Sequence, residues 1–309
     1  MAFNSGSARF RRLAPLFIVM AAIFWGFLFV FVRRFGGYGF SSLEIVALRC
    51  TGSVLWLGAY ALIFERPAHS ADGSPALQLK KRDLWCFLGS GLVSIVFFSY
   101  CFFRNAAIST AAVAAVLMYT SPAFVLLFSR LFFHECITPR KALALLAAIV
   151  GTVFISGIIP SLLSGGTAFS WAGLLLGLGS GIGYALYSIF GSFALRRGYR
   201  PMVVTLWTFV FAAIGSLALI DIPQLFSRLS GSPGLVSLWL AMGLFGSCLP
   251  FSLYTLGLSS MEPGRAAVLA TLEPIVTALA GLFLYQEVIS PFETIGIILI
   301  LSASLTITR

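Results

Sequence analysis

Residues 112–139 of this 309-residue chain recur at 264–291. Superposed at an offset of 152 without a gap, the two segments agree at nine of 28 positions. Ala114, Ala115, Val116 and Leu117 meet Ala266, Ala267, Val268 and Leu269; Pro122 meets Pro274, and Leu127 meets Leu279. Glu135, Ile137 and Pro139 then meet Glu287, Ile289 and Pro291. Each copy is an apolar run with a proline near its middle, closed by a carboxylate thirteen residues further on. Self-similarity at a fixed offset marks a repeat architecture. The offset is about half the chain, so the fold must be one that can be built twice, from residues 1–160 and 161–309.

The solvent for that fold is lipid. Apolar residues make up 59% of the chain and charged ones 10%, against about 45–50% and about 25% in soluble domains. Ten apolar runs emerge, at 13–32, 42–63, 84–103, 107–133, 140–159, 171–194, 202–220, 235–257, 264–285 and 292–307. A spanning helix needs roughly 20 such residues, which predicts an all-α integral membrane protein of ten transmembrane helices, five in each half. The first run is too long for the apolar core of a signal peptide and reads as a permanent helix. The polar stretch 65–83 and the short loop around Thr167 read as surface connections. Frequent glycines inside the runs, such as Gly89, Gly91 and Gly177, read as helix-packing positions. They lack the preceding strand and following Lys-Ser/Thr of a phosphate-binding loop.

The net charge of +10 does not indicate nucleic acid, because the basic residues lie in short connections between apolar runs. With the N-terminus in the cytoplasm, the inner side collects fifteen of them, including Arg9, Lys80, Lys81, Arg82, Arg140, Lys141, Arg196, Arg197 and Arg200. The opposite side receives four: Arg33, Arg34, Arg104 and Arg228. That bias predicts both termini in the cytoplasm. Five spans per half then make the second half enter from the other side, so the repeats are expected to be inverted, an arrangement that recurs in secondary transporters.

Few residues offer chemistry. Glu273 lies mid-run, where a charge costs about 2.5–3.5 kcal/mol on insertion scales. It reads as a substrate- or proton-binding carboxylate, or as a structural one bonded to a neighbouring helix. Arg49, about seven residues into the second run, stays charged. It binds a substrate carboxylate, pairs with Glu273, or snorkels to the headgroups. Glu44 and Arg104 read as interfacial. Pro122 and Pro274 each remove a backbone donor in mid-span and predict matched kinks. Glu135 and Glu287 read as caps of the following helices, alongside Thr138 and Ser290. Phe24, Trp25, Tyr119, Tyr184 and Tyr187 either line a cavity or pack. Cys50, Cys86, Cys101, Cys136 and Cys248 are scattered without metal or disulfide spacing. His69 and His134 stand apart in loops. No HExxH, GxSxG or metal-binding carboxylate cluster points to an enzyme, a metal or a cofactor.

The run AAIFWGFLFVFVRR (21–34), the LEIVALR ending at Arg49, AAVLMYTSPAF (114–124) with FFHE, and AAVLATLEPIV (266–276) with LYQE resemble the EamA-type family of the drug/metabolite transporter superfamily. The likeness spans nearly the whole chain; helix six departs from the commoner tryptophan of its motif, carrying Tyr184. The resemblance implies ten helices in two inverted five-helix repeats, a central cavity, and transport of small metabolites, often amino acids and frequently outward. The expectation is an inner-membrane secondary transporter with a small-molecule substrate and the bilayer as its partners. Alternating access would proceed around a midplane cavity lined by helices one, two, four, six, seven and nine. Arg49 and Glu273 together suit a zwitterion. A transporter of nucleosides or cationic drugs, needing Glu273 alone, and a membrane scaffold or sensor are the alternatives.

Overall fold

The computed structural model describes residues 8–65, 77–163 and 170–308. Most of the connection 65–83, including Arg66 and His69, lies outside the described residues, as do Thr167 and the residues beside it, residues 1–7 and Arg309. Among the described residues the regular structure is helical throughout. Eight helical segments are long and apolar enough to cross a bilayer: α1 (Arg12–Gly37), α2 (Ser42–Glu65), α3 (Lys81–Ile108), α4 (Ala111–Phe133), α6 (Trp171–Arg196), α8 (Pro233–Leu258), α9 (Pro263–Tyr285) and α10 (Pro291–Thr308). The fifth and seventh apolar runs form shorter helices, α5 (Pro139–Ile155) and α7 (Pro201–Leu217), of 17 residues each. α7 meets the short helix Ile222–Ser230 at 105°, and counting that pair as one broken span raises the number to nine.

The helix starts follow from local chemistry. Ser41 accepts the backbone N–H of Glu44 while the Glu44 carboxylate accepts that of Ser41, a capping box at α2. Ser290 and Glu293 build the same device at α10. Thr110 and Thr138 cap α4 and α5. Prolines occupy the first turns of α5, α7, α8, α9 and α10, where the missing N–H would have had no intrahelical partner. Large apolar side chains cover the outside: Leu143, Leu146, Ile214, Phe283 and Leu305 are exposed, as a surface solvated by acyl chains requires.

The repeat survives into three dimensions in detail. α4 breaks after Met118 and resumes at Ser121; α9 breaks after Ala270 and resumes at Glu273. Both end in a left-handed residue, His134 at φ 56° and Gln286 at φ 57°. π-helical turns fall inside α3 at Gly89–Phe97 and inside α8 at Leu244–Cys248, which the 152-residue offset superposes. Packing obeys the same correspondence. α1 lies against α8 and α9, as α6 lies against α3 and α4; α2 packs on α7, and α5 on α10. α2 also crosses α8 where Gly52 meets Gly243, so closely that a Cβ on Gly243 would stand 2.5 Å from the Gly52 carbonyl carbon.

The structure corrects two readings of the sequence. Pro122 and Pro274 do not kink continuous helices; each stands in the first turn of a new helix beyond a break. Glu135 and Glu287 do not cap the helices that follow them, a task done by Thr138 and by Ser290 with Glu293. Glu135 turns instead towards Lys141, and Glu287 towards Arg33. Glu44, read as interfacial, does sit at the first turn of α2, where it also pairs with Arg228 at 3.0 Å.

Candidate functional site

The breaks in α4 and α9 meet at a cavity in the middle of the bundle. Its wall takes Trp25 from α1, Ser94, Ile95 and Phe98 from α3, Tyr119, Ser121, Pro122 and Val125 from α4, Tyr184, Tyr187 and Ser188 from α6, Phe251 and Tyr254 from α8, and Ala267, Ala270 and Thr271 from α9. The volume open to the centre of a water molecule is about 20 Å³, room for about one water. The cavity is closed down on itself in this conformation.

Aromatic rings give it a rigid lining. Trp25 lies 5.0 Å from Phe251, 5.3 Å from Tyr254 and 6.3 Å from Tyr184, centroid to centroid. Trp25 reaches the site because its neighbour Gly26 lets α1 approach the second segment of α9: a Cβ there would stand 2.5 Å from Val276 Cβ and 3.0 Å from the Glu273 carbonyl oxygen. Thr277 Oγ1 donates to the Gly26 carbonyl across the same contact at 3.2 Å.

Two of the four tyrosine hydroxyls are engaged within the wall. Tyr187 shares a 2.6 Å hydrogen bond with Thr255, which Thr205 also reaches, and Tyr254 shares one of 2.7 Å with Ser188. The other two serve a charge. Tyr184 donates to Glu273 Oε2 at 3.3 Å, and Tyr119 faces the same carboxylate. Glu273 is the first residue of its helical segment, so its charge stands at the positive end of a helix dipole. Partial burial, a helix N-terminus and tyrosine donors are what a carboxylate near the centre of a membrane needs.

Arg49 is treated differently. It is 9% exposed, and its Nε and Nη2 complete no hydrogen bond. Among the described residues it makes no ion pair, and its guanidinium lies 6.0 Å from the centroid of the Phe251 ring. It neither pairs with Glu273 nor snorkels to a surface. Its charge acts on Glu273 and Tyr184 across the site. Such a group is expensive to keep without a counter-ion.

The structure therefore brings Trp25, Tyr119 and Tyr184 onto one wall, with Glu273 behind the tyrosines and Arg49 behind Phe251. Tyr187 is in the wall, whereas Phe24 points away and stacks on Phe245 at 6.1 Å. Helices α2 and α7, expected in the lining, stand behind it. α3 and α8 take their place with Ser94, Phe98, Phe251 and Tyr254, which sequence reasoning did not single out. Tyr254 beside Thr255 in an apolar run was the available signal, the same kind that marks Tyr187 and Ser188.

A bundle of membrane helices broken twice around a small, aromatic-lined cavity, with a buried carboxylate and a buried guanidinium behind its wall, is the architecture of a multi-pass membrane transporter. The chain belongs to the EamA-like transporter family, whose profile matches residues 12–157 and 171–309. It is similar to the uncharacterized inner membrane transporter YedA of Escherichia coli strain K12, at 30% identity over 97% of this chain and 92% of that protein. A lower similarity, 26% identity over 69% of this chain and 68% of its relative, links it to the threonine/homoserine exporter RhtA of the same organism. A solved crystal structure shares the fold at a TM-score of 0.76 and 20% identity, covering 95% of both chains.

Proposed function

We propose that this transporter carries small zwitterionic metabolites, amino acids or close relatives, outward across the inner membrane by alternating access. The observation that carries the substrate class is the buried Arg49, which among the described residues makes no ion pair, beside the same cavity as Glu273. A substrate carboxylate supplies the counter-ion that Arg49 lacks, and a substrate ammonium meets Glu273 and its tyrosines. The similarity to a threonine/homoserine exporter supports the same class. A cavity with room for about one water fits an occluded stage of a cycle, in which substrate entry parts the walls.

In this reading α5 and α7 also span the membrane, giving ten spans, with both termini in the cytoplasm. The two halves, 1–160 and 161–309, are then inverted about an axis through the α2–α7 and α5–α10 contacts. Like α4–α9, those are pairs that a pseudo-two-fold maps onto themselves. One specific observation favours a second substrate class: Trp25, Tyr184, Phe251 and Tyr254 form the kind of cage that suits a cationic drug through cation–π attraction.

The test is thermal stabilisation of the purified protein by panels of amino acids, nucleosides and cationic dyes, beside Glu273→Gln and Arg49→Met. A ligand that binds the folded state raises its apparent stability by mass action. Stabilisation by amino acids that both substitutions abolish is the expected result. Stabilisation by cations alone, lost in Glu273→Gln and kept in Arg49→Met, selects the second class. Equal stabilisation of all three proteins by amino acids would sink the assignment of this site.

A further inference from the structure

The broken helices α4 and α9 end alike and then part company. Beyond each, the glutamate amide reaches back to a helical carbonyl, Glu135 to Ser129 at 3.3 Å and Glu287 to Gly281 at 3.2 Å. The backbone thus presents both side chains in the same way. The Glu287 carboxylate, 61% exposed, meets the exposed Arg33 at 3.3 Å. The Glu135 carboxylate, 5% exposed, is pressed against Gly264 in the first turn of α9, where an added Cβ would stand 3.3 Å from its Oε2. Neither of its oxygens completes a hydrogen bond. Lys141, in the first turn of α5 and itself 9% exposed, is 3.9 Å from Glu135 and 2.7 Å from Glu262.

Glu135 and Lys141 belong to the first half of the chain, Glu262 and Gly264 to the second. The cluster therefore ties the halves together. Above it, Ser121–Phe133 of α4 packs along Pro263–Ala270 of α9. The repeat relates this contact to one between Ala111–Met118 and Glu273–Tyr285, which do not pack comparably among the described residues. One face of the bundle carries this contact between the halves, and among the described residues the opposite face does not carry its image.

We propose that Glu135, Lys141 and Glu262 form a latch between the two halves, which holds this face of the transporter closed and parts when the face opens. The latch rests on the alternating-access reading given above. A buried ion pair is a suitable fastening for a part that must open. Lys141 and Glu135 are buried while Glu262 is 43% exposed, so much of the attraction is offset by the desolvation of the first two, which regain water on opening.

The latch is also linked to protons. Burial, and then the Glu262 carboxylate, push the Glu135 carboxyl up to about 7, with Lys141, the Gly264 amide and Arg196 of α6 pulling the other way. Lys141 from α5, Glu262 ahead of α9 and Arg196 from α6 are the charged groups around it. In the open form the carboxyl returns to water and the ordinary range near 4.3. The closed form therefore binds the proton more tightly. Its proton-dependent preference is complete below that range and is lost as pH rises through about 7. Opening releases a proton from Glu135.

The test is a pair of spin-label distances in the full chain in phospholipid nanodiscs. One pair joins Cys136, the exposed one among the five cysteines, to Ser260→Cys across the latch. The other joins Tyr38→Cys to Val288→Cys on the opposite face, with Cys136→Ser. Lys141→Gln and Glu262→Gln should each raise the long-distance population across the latch about tenfold, within the usual span of coupling between sites, while the opposite distance shortens. Raising the pH from 5 to 8.5 should open the unmodified protein and leave Glu135→Gln closed.

If pH drives the two distances in opposition but neither charge variant moves them, the latch is wrong and alternating access stands. If the two faces never move in opposition, both readings fall. Lengthening on both faces at once would mean general loosening and would also overturn the latch. An equal pH response in Glu135→Gln and the unmodified protein would remove Glu135 as the linked group.

Discussion

At the break of α4 the second segment begins with Ser121, and at the break of α9 it begins with Glu273. Everything around those two positions matches: the length of each segment, the proline that follows, the left-handed residue at the far end. The repeat thus supplies the same scaffold twice, a helix N-terminus facing a central cavity. Only one copy places a charge there. The other leaves a buried hydroxyl, 2% exposed. The architecture is symmetric while the chemistry is not: one break carries a carboxylate and the other a neutral hydroxyl.

The largest test of this asymmetry is Glu273→Gln beside Ser121→Ala. Removing one partner of a desolvated charge contact typically costs about 2–5 kcal/mol, so the first should lower substrate affinity or transport at least about 30-fold. Ser121→Ala should stay within about fivefold, since a single neutral hydrogen bond contributes about 1 kcal/mol. Uptake or efflux in proteoliposomes, with expression and monodispersity as controls, reads both. Comparable losses would mean that both breaks bind substrate.

Arg49 sharpens the comparison in a different quantity. Its charge is buried and makes no ion pair among the described residues, so Arg49→Met should raise the unfolding temperature of the substrate-free protein while abolishing stabilisation by amino acids. Exchanging buried charges for apolar groups is often stabilising, by about 1–4 kcal/mol. A fall in the unfolding temperature of the substrate-free protein would show that Arg49 has a structural partner.

Tyr184→Phe should follow with about a tenfold loss of affinity, the usual worth of a hydrogen bond to a charged group. Thermal stability should change little, because the ring and its packing remain. Tyr187→Phe, whose hydroxyl serves Thr255 in the wall, should do the reverse. The smallest effect belongs to Glu287→Gln, which breaks an exposed pair with Arg33 worth about 0–1 kcal/mol. Melting curves should barely separate it from the unmodified chain. A large change there would mean that Glu287 is buried in a state that dominates in the membrane.

The sequence makes the asymmetry visible because a carboxylate in an apolar run stands out. For the same reason Arg49, Trp25, Tyr119 and Tyr184 were within reach. The repeat announced the matched breaks, but a proline in an apolar run does not say whether it bends one helix or begins another. That depends on whether side chains satisfy the carbonyls of the turn before it, as the Thr120 and Thr271 hydroxyls donate to the carbonyls of Leu117 and Val268. The lining by α3 and α8 was hidden because an all-round apolar helix carries no mark of which face looks inward. The fates of Glu135 and Glu287 were hidden because the same local backbone, ending in a left-handed residue, precedes both; only the neighbours brought by the other half bury the one and expose the other.

The π-helical turns of α3 and α8 have a mechanical meaning. Each closes a loop of backbone with one residue more than an α-turn holds, and a single residue of an α-helix corresponds to about 100° of rotation. Phe98 and Tyr254 lie just beyond these turns, so side chains that line the cavity hang from places where a helix can rewind without moving its ends. Deuterium should accordingly reach the amides of Gly89–Phe97 and Leu244–Cys248 before those of the evenly wound α5 and α10.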